Sequence, residues 1–241
     1  MSTPRKRFWT KTEITETKDG FGVQLDGREV KTPAKAPLLV PTRAIAEMIA
    51  AEWQAQGEKI DPETMPATRF ANAAIDKVAT QFDEVAAMLV AYGETDLLCY
   101  RASFPEALIA RQAAAWDPLL DWASQRFGVT WNVTTGVMPT PQDQQVTQRL
   151  GAHVAQFTVF QLAAFHDLVA VSGSLVIGLA AAENHRDLET LWLASQLDED
   201  WQIEQWGTDE DAAELIATRR AAFLNAGCYF NACTTDSSLL K

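Results

Sequence analysis

Phe21-Gly22-Val23-Gln24-Leu25-Asp26-Gly27-Arg28-Glu29-Val30-Lys31 alternates apolar residues with polar residues or glycine and is interrupted once, at Asp26-Gly27. Alternation with a period of two marks strands with one covered face. Asp-Gly supplies the two positive-φ residues of a tight hairpin turn. The stretch therefore predicts two antiparallel strands. Upstream, Thr12-Glu13-Ile14-Thr15-Glu16-Thr17 and the turn Lys18-Asp19-Gly20 predict another strand. Downstream, Leu38-Leu39-Val40, set off by Pro33 and Pro37, predicts one more short strand. Lysines along the edge of so small a sheet guard it against pairing with another chain.

Helix follows. Pro41-Thr42 opens it with Thr42 as N-cap, Ile45, Met48, Ile49 and Trp53 keep helical spacing, and Gly57 is a natural stop. This helix is expected to cover one face of the sheet, with Trp53 on its apolar side as a structural residue. A second helix is predicted over 67–79. Beyond it Ala, Leu, Gln and Glu dominate, all good helix formers. Helices are predicted over 82–92, 105–127, 142–156, 160–182, 186–197 and 209–224, with an extended stretch at 128–137. Trp116-Asp117-Pro118 reads as packing plus a kink, and Ser172-Gly173-Ser174 as small residues inside a buried helix. The fold class is thus α+β. A small N-terminal α/β domain of short antiparallel strands plus helices spans 1–78, with the boundary between Asp76 and Phe82. An all-α domain spans 79–226, and 227–241 reads as a disordered or appended tail.

Charge is unevenly placed. Through residue 80 there are 12 Lys/Arg against 11 Asp/Glu; beyond it there are 8 against 21, so the net of −12 arises after the boundary. Such a field disfavours nucleic acid and anionic membrane and favours a basic partner. No apolar run is long enough to span a bilayer. Three cysteines without metal-ligand spacing argue for a reducing compartment rather than a disulfide framework.

The acidic half centres on Leu197-Asp198-Glu199-Asp200-Trp201-Gln202-Ile203-Glu204-Gln205-Trp206-Gly207, four carboxylates among two tryptophans and no cation. One reading is an amphipathic helix with its tryptophans in the core. The other is a recognition element in which Asp198, Glu199, Glu204 and Trp206 meet a partner while Trp201 is structural, like Trp53 and Trp116. Catalytic signatures are missing: there is no phosphate loop, no dinucleotide-binding glycine pattern and no nucleophile elbow around Ser172-Gly173-Ser174. His153, His166 and His185 stand far apart in sequence, so no metal site is expected. Glu94 and Asp96 are the carboxylates a cofactor-free hydrolase or isomerase would use. Asp96 and Arg101 could instead pair with each other at the domain junction.

Several segments taken in order resemble one family. They are Leu25-Asp26-Gly27-Arg28 with Lys31-Thr32-Pro33, Glu52-Trp53-Gln54-Ala55-Gln56, Ile60-Asp61-Pro62, and Met65-Pro66-Ala67-Thr68-Arg69. Tyr92-Gly93-Glu94-Thr95-Asp96-Leu97-Leu98-Cys99-Tyr100-Arg101, Trp116-Asp117-Pro118 and Ser172-Gly173-Ser174-Leu175 continue the series. Together they look like the ATP12 family, assembly chaperones of the F1 sector of ATP synthase. The resemblance implies a small α/β domain followed by an orthogonal helical bundle, no catalysis and no cofactor. It implies binding of the unassembled F1 α subunit by a chain that is monomeric when free. A cytoplasmic bacterial form is implied too, with eukaryotic relatives in the mitochondrial matrix. A subunit that stays in the finished complex is the structural alternative.

Overall fold

The structure, a computed structural model, describes residues 6–136 and 140–234. The chain divides into two compact units, one comprising Met1–Phe82, Thr158–Ala164 and Cys228–Lys241, the other Asp83–Phe157 and Phe165–Gly227. The first break thus follows Phe82, and two later segments belong to the first unit, which a simple division into 1–78 and 79–226 does not anticipate.

In the first unit the strands are β1 (Thr12–Thr17), β2 (Gly20–Leu25), β3 (Arg28–Glu29) and β4 (Leu39–Val40). β2 pairs antiparallel with all the others, Ile14 opposite Val23, Leu25 opposite Arg28, and Phe21 opposite Val40. The hairpin turn between β2 and β3 is the Asp26-Gly27 pair, with φ of 47° and 79°. The Asp26 carboxylate also accepts the Thr10 and Lys11 amides at 2.9 Å, and those bonds hold its pKa below the ordinary value. Helix α1 (Arg43–Ala55) packs on β1 and β2 through buried Ile45, Ala46 and Ile49. Thr42 caps it, accepting from the Ile45 amide at 3.3 Å, and its hydroxyl donates to the Ala232 carbonyl at 2.6 Å. Trp53 is half-buried and meets Trp9 edge to face at 5.2 Å.

Helix α2 (Pro66–Asp76) starts after Met65, a side chain that cannot cap. Glu52 does the capping from α1. Its carboxylate accepts the Ala67 amide at 2.6 Å, the Thr68 amide at 2.8 Å and the Thr68 hydroxyl at 2.7 Å. Glu52→Ala removes all three acceptances while leaving the helix interiors intact. Its expected cost is about 2 kcal/mol, the upper range for losing a helix cap, read by urea denaturation.

The second unit is helical. It contains most of α3 (Phe82–Val90), then α4 (Glu106–Phe127), α5 (Gln144–Val154), the end of α6 (Val159–Ser172), α7 (Leu175–Ala182), α8 (Leu188–Trp206) and most of α9 (Glu210–Ala232). A parallel two-stranded ribbon pairs β5 (Tyr100–Arg101) with β6 (Thr134–Thr135); β6 alone falls in the expected extended stretch, whose Val137 lies outside the described residues.

The structure corrects three expectations about helix boundaries. The run expected over 186–197 continues as α8 to Trp206. The run 160–182 is not one helix. It breaks at Gly173, whose φ is 70°, and Ser174 restarts it as the N-cap of α7, accepting from the Ile177 amide. Helix α7 is almost wholly buried from Leu175 to Ala181. Residues 227–232 are not a tail, because they complete α9, and Tyr229, Phe230 and Cys233 are buried. Tyr229 packs on Phe70 at 5.1 Å, and burial pushes its hydroxyl well above the ordinary tyrosine range. Residues 235–241 lie outside the described residues.

The expected Asp96–Arg101 pair is also absent. Asp96, fully enclosed, accepts the Ser174 hydroxyl at 2.7 Å, the Val176 amide at 3.0 Å and the Leu98 amide at 3.1 Å. Arg101 instead donates to the Leu98 carbonyl, lies 2.8 Å from Asp117, and stacks over Trp116 with 5.2 Å to the ring centroid.

Candidate functional site

The acidic run is the second half of α8. Asp187 caps the helix through the Thr190 amide, and Leu191, Trp192 and Ala194–Leu197 bury its first half. After Leu197 the helix emerges toward solvent, ends at Gly207, and Asp209 caps α9 through the Ala212 amide at 2.8 Å. α4 lies antiparallel beside it. The buried Trp116 indole donates to the Ala194 carbonyl at 2.8 Å, Gln112 donates to Asp198 at 2.7 Å, and Arg111 reaches both Glu204 oxygens at 2.7 and 2.8 Å. From α9, Arg219 donates to Glu199 at 3.2 Å and to the Val171 carbonyl at 3.1 Å.

The acids singled out from sequence are therefore engaged, by residues the local sequence does not contain. Asp198 is half-buried against Gln112, while Glu199 and Glu204 are exposed ion-pair partners. Exposed pairs of this kind contribute little net stability, about 0–1 kcal/mol, so a partner's cation can replace the resident one at low cost. Asp200 is half-buried, and burial pushes its carboxyl above the ordinary value. Trp201 is half-buried, whereas Trp206 is 79% exposed.

Between the end of α8 and the start of α9 lies an open groove of about 410 Å³. Ile203, Trp206, Leu215 and Ile216 form its apolar lining, with Glu199 and Arg219 among its polar groups. Asp209 also lines it, Glu210, Asp211 and Glu214 follow on α9, and no cation of the described residues pairs with these four. Leu215 and Ile216 escaped the reading from sequence, although a helix opening in four acids followed by two adjacent apolar residues carried the signal.

The other chemistry considered from sequence is dispersed. Glu94 is exposed and Asp96 is enclosed, so they do not face a common pocket. His153 lies 3.2 Å from Glu183, His166 sits 2.9 Å from Asp167, and His185 stacks on Trp122. Among the described residues no group of three or more His, Cys, Asp or Glu is arranged to hold a metal ion. Burial pushes the Cys99 thiol up to about 12, far from a reactive thiolate at neutral pH. No described helix is long and apolar enough to cross a membrane.

Known proteins share this fold over nearly the whole chain. The crystal structure of Atp12 from Paracoccus denitrificans is 48% identical and superposes with a TM-score of 0.91, covering 95% of this chain and 98% of its own. The chain belongs to the ATP12 family. The model of the ATP12 chaperone protein family matches residues 6–124. That span ends within α4, so the ATP12-type character of α8 and α9 rests on the full-length structural match. A solved protein from Agrobacterium tumefaciens is 38% identical at a TM-score of 0.91, covering 95% of this chain and 86% of its own. The mitochondrial protein atp12 of Schizosaccharomyces pombe is 25% identical over 222 residues, 87% of this chain and 76% of that protein.

Proposed function

We propose that this ATP12-family protein is an assembly chaperone of ATP synthase that binds the unassembled F1 α subunit and shields its β-facing interface until F1 forms. The observation that carries the reading is the full-length match to Paracoccus denitrificans Atp12 at 48% identity. The acidic groove supports it. An arginine-bearing, apolar client surface finds Glu199 and the exposed ring of Trp206 in the groove, and the exposed Glu204 carboxylate on the α4 side of the same helix end. Asp198, half-buried and holding Gln112, lies on the α4 side of the helix with Glu204.

The protein works stoichiometrically rather than as an enzyme, as a free monomer without cofactor, in the bacterial cytoplasm where F1 subunits are joined. Release follows competition by a tighter partner. The test is to mix it with isolated F1 α subunit, measuring complex formation by gel filtration and aggregation by light scattering. One-to-one binding and suppressed scattering are expected. Binding to the β subunit and not to α would sink the assignment.

Glu204→Lys should weaken binding to α about tenfold by reversing an exposed charge, with the thermal midpoint lowered only slightly, because the exposed pair it loses with Arg111 contributes about 0–1 kcal/mol. Raising ionic strength should weaken wild-type binding and narrow the difference between the two proteins. Equal affinities at low salt would return Glu204 to a purely internal role.

A further inference from the structure

The two most exposed large apolar side chains among those described are Phe104, 80% exposed, and Trp206, 79% exposed, with Leu215 at 60%. The geometry of the second unit gathers them at one end. Trp116 meets Ala194, Gln112 meets Asp198 and Arg111 meets Glu204, so residue numbers fall along α4 as they rise along α8. Phe104 immediately precedes Pro105, the N-cap of α4, and Trp206 is the last residue of α8, so both stand at the same end. The chain turns there through Gly207, and α9 sets Leu215 and Ile216 with Ile203 and Trp206 around the groove.

We propose that this end of the unit is a docking surface for a client segment that carries a large apolar side chain flanked by arginine or lysine. Trp206 and Leu215, which line the groove, take the apolar group, with Phe104 exposed at the same end, and Asp209, the groove's carboxylate without an ion-pair partner among the described residues, takes the cation. A ring left in water on an open groove, as Trp206 is, is a usual anchor of a protein interface. Charge selects the occupant. Within the groove Arg219 is already held by Glu199, which leaves Asp209 and a negative surplus. A second copy would bring the same acidic end against itself and be repelled. The inference rests on the chaperone reading and adds where the client sits and what it must present.

Three variants test it by titration against isolated F1 α subunit at fixed ionic strength: Trp206→Ala, the double Phe104→Ala/Leu215→Ala, and Leu193→Ala. Leu193, 53% exposed, lies in the first half of α8 away from the groove and serves as the control. The first two should bind at least tenfold more weakly with unchanged thermal midpoints, since the side chains removed are exposed, and the control should match wild type. Wild-type affinity in the first two would overturn the docking surface and leave the chaperone reading standing. Equal loss in Leu193→Ala would overturn it as well, because the effect would then be general stickiness. If wild type itself does not bind α, the chaperone reading fails and this inference falls with it.

Discussion

Trp116→Ala is expected to destabilise the protein by about 3–5 kcal/mol, the range for truncating a buried aromatic ring, and to lower the thermal midpoint by roughly 10 °C. The side chain is fully enclosed, so the variant leaves a cavity lined by α4 and α8 that rigid helices only partly refill. Its indole N–H donates to the Ala194 carbonyl at 2.8 Å, and one face carries the Arg101 guanidinium. Trp116→Phe separates these contributions, keeping most of the ring while losing the hydrogen bond, at a smaller cost of about 1–2 kcal/mol. Urea denaturation of both variants is the measurement. A Trp116→Ala protein within about 1 kcal/mol of wild type, below the usual range for such a truncation, would show that α4 and α8 collapse freely onto each other. The consequence reaches function, because the Trp116 contact fixes the register that brings Gln112 to Asp198 and Arg111 to Glu204.

What could be read directly from the chain was local. Asp26-Gly27 and the alternating residues around it specify the hairpin without help from elsewhere, and Thr42 marks the start of α1 because its cap reaches only to Ile45. What escaped depends on partners distant in sequence. Glu52 caps α2 across 15 positions, and nothing in Met65-Pro66 announces it. The break at Gly173 is fixed by Ser174, which caps α7 and donates its hydroxyl to Asp96, 78 positions earlier; without that partner in view the apolar run reads as continuous. The end of α9 is hard to read for a different reason. Phe223, Ala226, Phe230 and Cys233 do recur at helical spacing and are buried, but Ala226 and Cys233 between and after the two rings make a faint stripe.

The candidate surface divides the same way. Acid and aromatic content around Leu197–Gly207 is visible in composition, so an interaction role could be framed from residues alone. Composition could not show that Arg111 and Arg219 come from α4 and α9 to hold Glu204 and Glu199. Nor could it show that Trp206 points to solvent while Trp201 is half-buried, since both sit on one helix.

The other large effect is expected at Asp96. Its carboxylate receives the Ser174 hydroxyl and the Val176 amide at the start of α7 and the Leu98 amide on its other side. Asp96→Ala leaves those donors buried without their acceptor, a loss of about 3 kcal/mol or more. The penalty should depend on pH. Burial pushes the Asp96 carboxyl up from 3.8 to about 6, against the opposing pull of the Val176 and Ser174 hydrogen bonds. Between about pH 4 and pH 6 the folded chain therefore holds a proton that the unfolded chain has released. Stability contributed by this group is greatest below that window, falls as pH rises through it, and is level above it. Alanine at 96 has no such titration, so the gap between wild type and variant should be wider at about pH 5 than at about pH 7, by about 1 kcal/mol. Urea denaturation at the two pH values measures it. A gap that widens toward neutrality would mean that the ring of donors outweighs desolvation and holds the carboxyl below its unfolded value.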